Sequence, residues 1–354
     1  MTLLSGGFRG RGLLRVRKEG SGAACRSGAG SRRCLLALAL GLVVLVADVR
    51  AQAQSAAPWP DKSIRILVGF PPGTSTDTLT RMVATRMAEF LGQPLTVENK
   101  PGAGSSIAAE MVARSAPDGY TLLATSSANT INPSLYRLSF DLLHDLTPIG
   151  GIAEAPLLVI GWPGNGLRDI AQVIAAARAK PDALAYGSSG VGTFVHLNAE
   201  LFKLSTGTRI THVPYKGSSQ AIADLLSGQI QLLFTPASTA IPHVKAGKAV
   251  ALGLIGRKRS PELPDVPTLG EAGVPGLDSA LWSGLHAPAG TPPAVIDRLN
   301  RELQRALGLA EVRAQIATQS NEPLPGTPAQ FGALVRDDVE RWARVVRSAG
   351  IKAD

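Results

Sequence analysis

Apolar residues along this chain fall into short continuous runs that alternate with segments of helical period. Ser63–Phe70 (SIRILVGF) reads as a strand, and Pro71–Thr76 breaks it. From about Asp77 to Leu91, apolar Leu79, Met82, Val83 and Met87 recur at helical spacing. Leu95–Asn99 and Thr121–Thr125 are strand-like, with a short helix over Ser106–Arg114 between them. Leu157–Trp162 reads as a strand leaving this first unit. A second series then begins. Strands are predicted at Leu184–Ser188, Ile210–Tyr215, Ile230–Phe234 and Ala249–Ile255. Helices are predicted at Ile170–Ala179, Thr193–Leu204, near Ser219–Leu226 and at Thr239–Ala246. Leu281–His286 resembles another crossing strand, followed by helices at Pro293–Leu307, Val312–Gln319 and Pro328–Ser348. Strands alternating with helices predict an α/β protein with mostly parallel sheets.

Charge changes the picture only at the N-terminus. The 354 residues carry a formal net charge of +9, which invites a nucleic-acid or membrane-surface reading. Residues 1–53 hold nine basic and two acidic side chains, a net of +7, so the body keeps only +2. Within that segment Leu35–Ala47 is an unbroken apolar run, too short to span a bilayer. Basic residues precede it, and the small-residue patterns Val49-Arg50-Ala51 and Ala51-Gln52-Ala53 follow it. Residues 1–53 therefore read as a secretory signal peptide cleaved near residues 51–54, leaving a periplasmic protein. The basic region is long enough to place the true start downstream of Met1. Arg32-Arg33 resembles a twin-arginine signal, but an ordinary secretory leader with two adjacent arginines is the favoured reading. Both cysteines, Cys25 and Cys34, lie in the leader, which excludes thiolate zinc, iron–sulfur and Cys-nucleophile chemistry from the body.

Two Gly/Ser/Thr turns are the candidate chemistry. Phe70-Pro71-Pro72-Gly73-Thr74-Ser75-Thr76-Asp77 joins a strand to a helix start, where free backbone N–H groups and the helix dipole favour an anion. A plain N-cap by one of the three hydroxyls fits the same residues. Tyr186-Gly187-Ser188-Ser189-Gly190-Val191-Gly192-Thr193 has the same character in the second half. It is neither a dinucleotide fingerprint, because Val195 occupies the third glycine's place, nor a nucleophile elbow, because position 191 is valine. Two such turns in separate halves suggest a ligand held between two lobes. The five histidines have no metal-ligand spacing. His196 faces the ligand or packs; Tyr215-Lys216-Gly217 reaches the cleft or is a solvated loop. Nothing pairs a base with a nucleophile.

Over Trp59–Lys352 the sequence resembles the solute-binding receptors of tripartite tricarboxylate transporters, the Bug or TctC type. The resemblance is carried by Pro60–Asp77 around FPPG, Leu91–Gly104 (LGQPLTVENKPGAG) and Ala116–Leu123 (APDGYTLL). It continues through Ser188–Leu197 (SSGVGTFVHL), His212–Gly217 (HVPYKG), Leu263–Ala272 (LPDVPTLGEA) and Leu281–Gly290 (LWSGLHAPAG). It implies a two-lobed periplasmic-binding-protein-like (type II) fold, with residues 56–157 and 282–354 in one lobe and 158–281 in the other. It also implies a monomer that closes on a small mono-, di- or tricarboxylate and passes it to a membrane permease. No cofactor, metal, nucleic acid or catalytic residue is implied. The ligand-binding roles fall on Phe70, Pro72, Thr74, Ser75 and Asp77 in the first turn. Their counterparts in the second lobe are Ser188, Gly192, Thr193, His196 and Tyr215. Two departures bear on specificity: Thr74 replaces the usual second glycine, and Thr235 replaces a common acid that would pair with a ligand amine. The second departure leans toward a plain carboxylate. A sensor subunit serving a membrane kinase, or an exported enzyme on the same fold, are the rival readings.

Overall fold

The computed structural model describes residues Trp59–Lys352. The signal-peptide reading of residues 1–53 and both cysteines lie outside that range. Strand β1 (Ile64–Val68) leads into helix α1 (Ser75–Leu91), β2 (Leu95–Asn99) and α2 (Ser106–Ala113). Next come β3 (Thr121–Ser126), α3 (Ser127–Leu135) and β4 (Leu146–Ala155). Helix α1 presents Leu79, Val83 and Met87 at four-residue spacing to Ile64, Ile66 and Val68 of β1. It stops at Gly92, whose left-handed φ of 71° lets its N–H close back on the Ala88 carbonyl at 2.9 Å.

Only Pro156 separates β4 from β5 (Leu157–Gly161), yet the two strands belong to different sheets. The second series is α4 (Ile170–Ala179), β6 (Ala185–Ser188), α5 (Phe194–Thr206), β7 (Thr211–Pro214) and α6 (Ser218–Leu226). It ends with β8 (Leu232–Pro236), α7 (Ala237–Lys245) and β9 (Val250–Ile255). Strand β10 (Leu281–Pro288) returns to the first sheet. Helices α8 (Pro293–Gly308) and α9 (Ala310–Ala317), the short β11 (Glu322–Pro323) and α10 (Pro328–Ala349) complete the described chain.

The first sheet has the order β11-β4-β10-β3-β1-β2 and the second β7-β6-β8-β5-β9. The sheets are mixed rather than mostly parallel. Parallel triplets β2-β1-β3 and β7-β6-β8 form by helical crossovers, as the alternating pattern requires. The antiparallel pairs are those of the strands at the two crossings, β10 against β3 and β4 and β5 against β8 and β9, together with the short β11 against β4. Each sheet has its own core. Ile66, Leu122, Ile149 and Leu285 meet α1 and α8 in the first; Tyr186, Phe202, Leu232 and Phe234 fill the second. The C-terminal helix α10 contributes Phe331 and Val335 to packing under the first sheet. Farther along, its Trp342 meets Phe194 edge-on at 5.2 Å and joins the second core.

Candidate functional site

Parallel strands end where their following helices begin, and in a doubly wound sheet that edge is where ligands sit. Here the carboxyl ends of β1, β3, β6, β7 and β8 all deliver helix N-termini to one cavity of about 820 Å³. Ser75 and Thr76 open α1, Ser127 and Ala128 open α3, and Phe194 opens α5 on its wall. Ser218 brings the start of α6, and Ser238 and Thr239 that of α7. Five helix dipoles thus point their positive ends into one space. No Lys, Arg or His among the described residues lines it, and Glu154 is the one residue of charged type among those that do.

The two turns foreseen in the sequence are both at this cavity, and they are built alike. In the first, the Gly73 N–H donates to Asp77 Oδ2, four residues on, at 2.9 Å. In the second, the Gly192 N–H donates to His196 Nδ1, also four residues on, at 3.1 Å. Gly73 (φ 82°) and Gly192 (φ 73°) occupy the left-handed region, which a side chain disfavours. The turns differ in their caps. Thr74 spends its hydroxyl on the Pro71 carbonyl at 2.9 Å, so no side chain caps α1. Thr193 Oγ1 accepts from the His196 N–H at 3.4 Å and caps α5. Helices α6 and α7 also lack side-chain caps. Their first N–H groups, like those of α1, have no capping side chain, the condition in which a helix N-terminus can receive an anion.

Of the residues singled out in the sequence, Phe70, Ser75, Gly192 and Thr193 line the cavity. The others stand outside its wall. Pro72 is exposed and Thr74 faces back into its own turn. Asp77 is buried beneath the first turn and holds it. Besides Gly73 it accepts from Arg81 Nε at 3.0 Å and Asn99 Nδ2 at 2.8 Å. Burial raises the pKa of its carboxyl, but those hydrogen bonds outweigh the effect and hold it below the usual value. His196 is likewise beneath the second turn, stacked on His212 with ring centroids 4.1 Å apart. His212 Nε2 lies 2.7 Å from Ser188 Oγ and its ring stacks on Tyr186. Burial depresses both imidazoles. His212, which also feels the charge of His196, falls to about 4. Tyr215 gives its hydroxyl to Asp224 at 2.8 Å, and burial with that bond raises it to about 12. Thr235 is buried in β8 with its hydroxyl unpartnered, one residue behind Pro236 on the wall.

Several wall residues carried no sequence signal. Ser126 caps α3 in a capping box with Asn129, following a strand exactly as the two recognised turns do; the Thr121–Thr125 strand end was the available clue. Asn132 ties the loop at residues 103–106 to α3 through the Gly104 carbonyl and Ser106 Oγ, each at 2.8 Å. Gln319 and Asn321 arrive from beyond α9 and meet Thr78 and Ser75 at 3.4 and 3.5 Å. Among the described residues no cluster of His, Cys, Asp and Glu is arranged to hold a metal ion. No helix there is long and apolar enough to cross a membrane.

Two mixed sheets around a cleft of helix N-termini define a binding protein of the periplasmic type. Residues 79–351 match the family model of the tripartite tricarboxylate transporter family receptor, and the chain belongs to that family. It is 36% identical to protein BugT of Bordetella pertussis over 316 residues, covering 88% of this chain and 97% of that one. Among solved structures it is similar to an R. palustris protein with adipate: 35% identity, TM-score 0.68, with 83% and 99% of the two chains covered. It is also similar to MatC from Rhodopseudomonas palustris with bound malate: 31% identity, TM-score 0.65, covering 81% and 100%. The family is one of solute-binding receptors rather than enzymes.

Proposed function

We propose that the protein is an exported, monomeric receptor that captures a small organic carboxylate and delivers it to a tripartite tricarboxylate-type membrane permease. The observation that carries this reading is the convergence of five helix N-termini on a cavity whose wall holds no cation. Such a site binds an anion through oriented backbone N–H groups and hydroxyls, with no proton transfer and no covalent step. The relatives solved with adipate and malate support the same ligand chemistry. Residues 56–157 with 282–354 act as one lobe and 158–281 as the other, each supplying one of the two glycine turns. The two chain crossings, at Pro156 and just before β10, then serve as the hinge. Trp282, at the start of β10 and on the cavity wall, reports closure by its fluorescence.

Thermal denaturation of the purified protein against a panel of carboxylates tests the proposal. A ligand at 100 times its Kd stabilises the fold by about 2.7 kcal/mol. A broad panel that leaves the ligand-free, refolded protein unshifted overturns it.

A further inference from the structure

Gln319 and Asn321 line the cavity, but Ser320 between them does not. Ser320 turns the chain at a left-handed φ of 52°, a conformation that a residue other than glycine keeps only when its surroundings impose it. Backbone bonds supply part of that constraint. The Ser320 and Asn321 N–H groups donate to the Ala317 and Ile316 carbonyls at the end of α9, at 2.9 and 3.3 Å. The two wall side chains are tied to their own lobe only loosely, at 3.4 Å to Thr78 and 3.5 Å to Ser75. Ser320 Oγ, by contrast, donates to Glu262 Oε1 at 2.7 Å.

Glu262 belongs to the other sheet. It sits in the loop at residues 256–267, which leaves β9 and is fastened back to it. The Leu254 N–H donates to the Pro267 carbonyl at 3.0 Å, and the Leu269 N–H to the Leu254 carbonyl at 2.8 Å. Arg259 Nε donates to both oxygens of Glu271, at 3.1 and 2.9 Å. The second oxygen of Glu262 is held within the same lobe, accepting from Lys245 Nζ at the end of α7 at 2.8 Å. One carboxylate thus joins α7, which begins on the cavity wall, to the segment that carries Gln319 and Asn321. Lys258 of the same loop pairs with Glu322, two residues beyond Ser320. We infer that Glu262 is a positioning residue of the binding site: from the second lobe it holds the Gln319–Asn321 wall of the first, and so clasps the two lobes around a bound carboxylate. The inference rests on the two-lobed receptor reading and adds to it a residue outside the cavity. Such a clasp leaves encounter untouched and slows departure, because a bound molecule leaves only when the lobes part.

Stopped-flow fluorescence and isothermal titration of the protein purified after expression of the full chain test it. The probes are succinate, malate, adipate, citrate and benzoate. For those that bind, Glu262→Ala speeds dissociation and weakens affinity about fivefold, the modest size expected of a partly solvated contact, while association changes by less than about twofold. Glu262→Gln, whose amide oxygen still accepts from Ser320, lies closer to wild type. Ser320→Gly removes the hydroxyl but suits the left-handed backbone, so its melting temperature is kept while dissociation quickens to a similar extent. It keeps the test open should Glu262→Ala fold poorly, and adding Glu262→Ala to it changes dissociation little further. Dissociation within about twofold of wild type in both single variants overturns the inference alone, as do additive effects or effects confined to association. If none of the five acids binds, the receptor reading fails and the inference fails with it.

Discussion

The two glycine turns use one backbone device with two different side chains. Each bends at a left-handed glycine whose N–H is received by a side chain one helical turn further on. In the first turn the acceptor is an ionised carboxylate, itself braced by Arg81 and Asn99. In the second it is a neutral imidazole, whose proton must reside on Nε2 for Nδ1 to accept from Gly192. The geometry is shared, but the response to acid is not. Asp77 keeps its charge to below pH 3.8, whereas His196 loses its acceptor when it is protonated. Equivalent shape is thus achieved with unequal robustness.

Removing the brace of the first turn is the harshest way to break the comparison. Asp77→Ala leaves the Gly73 N–H, Asn99 and the Arg81 guanidinium without their shared acceptor. Urea unfolding should show a loss of about 3 kcal/mol. Titration should show carboxylate affinity falling by about 100-fold, since the turn that presents the α1 N–H groups is no longer held. Affinity within a few-fold of wild type would mean that Asp77 does not organise the site.

Acid should separate the turns. His196 and His212 have folded pKa values below their ordinary 6.5, so the unfolded chain takes up more protons in that window. Their contribution is intact above pH 6.5 and falls as pH descends toward about 4, the value for His212. Fully buried His286, depressed by burial to about 3, acts in the same direction from the first sheet. Asp77 contributes stability that is present above 3.8 and lost only below it. Glu200 opposes the depression of both stacked imidazoles and Lys203 adds to it, so these are the charges to hold constant. Ligand affinity measured from pH 7.5 downward should therefore weaken before the first turn is touched. His196→Asn, which offers a non-titrating acceptor at the same four-residue spacing as Asp77, should flatten that profile. An unchanged profile in the variant would locate the acid response elsewhere.

The glycines themselves give a smaller contrast. A Cβ at Gly192 would stand 2.6 Å from Leu135 Cδ1, while one at Gly73 would meet nothing within 4 Å. Gly192→Ala should cost about 2–3 kcal/mol, backbone strain plus overpacking, and Gly73→Ala only about 1 kcal/mol of strain. Equal losses would contradict the packing seen behind the second turn. Smallest of all, Lys258→Ala removes an ion pair with Glu322 from a largely exposed lysine and should change stability by less than about 1 kcal/mol.

Much of this was visible in the residues. The parallel strands and the two turns announce themselves because a buried strand needs a continuous apolar run, and a tight strand-to-helix turn needs Gly and small donors. Strand β4 escaped because Pro148 and Gly150-Gly151 interrupt its apolar run; its pairing with β10 stabilises it instead, across two register shifts. Helix α3 escaped because Pro133 and β-branched Thr130 and Ile131 argue against a helix, which its Ser126–Asn129 capping box and its packing overcome. Within the site, sequence motifs identified the turns but not the distinction between wall and brace. Asp77, His196 and Tyr215 sit in the right motifs, yet their side chains face inward to partners 4, 9 and 22 residues away, a choice that no local pattern encodes.

The proposed receptor function requires both turns to hold one carboxylate through backbone N–H groups. The direct measurement is an amide-resolved NMR titration of the protein with the tightest carboxylate from the panel. Resonances of residues 73–76 and 190–193 should shift together and saturate with one Kd. Shifts confined to one turn, or absent from both while the ligand binds, would contradict it.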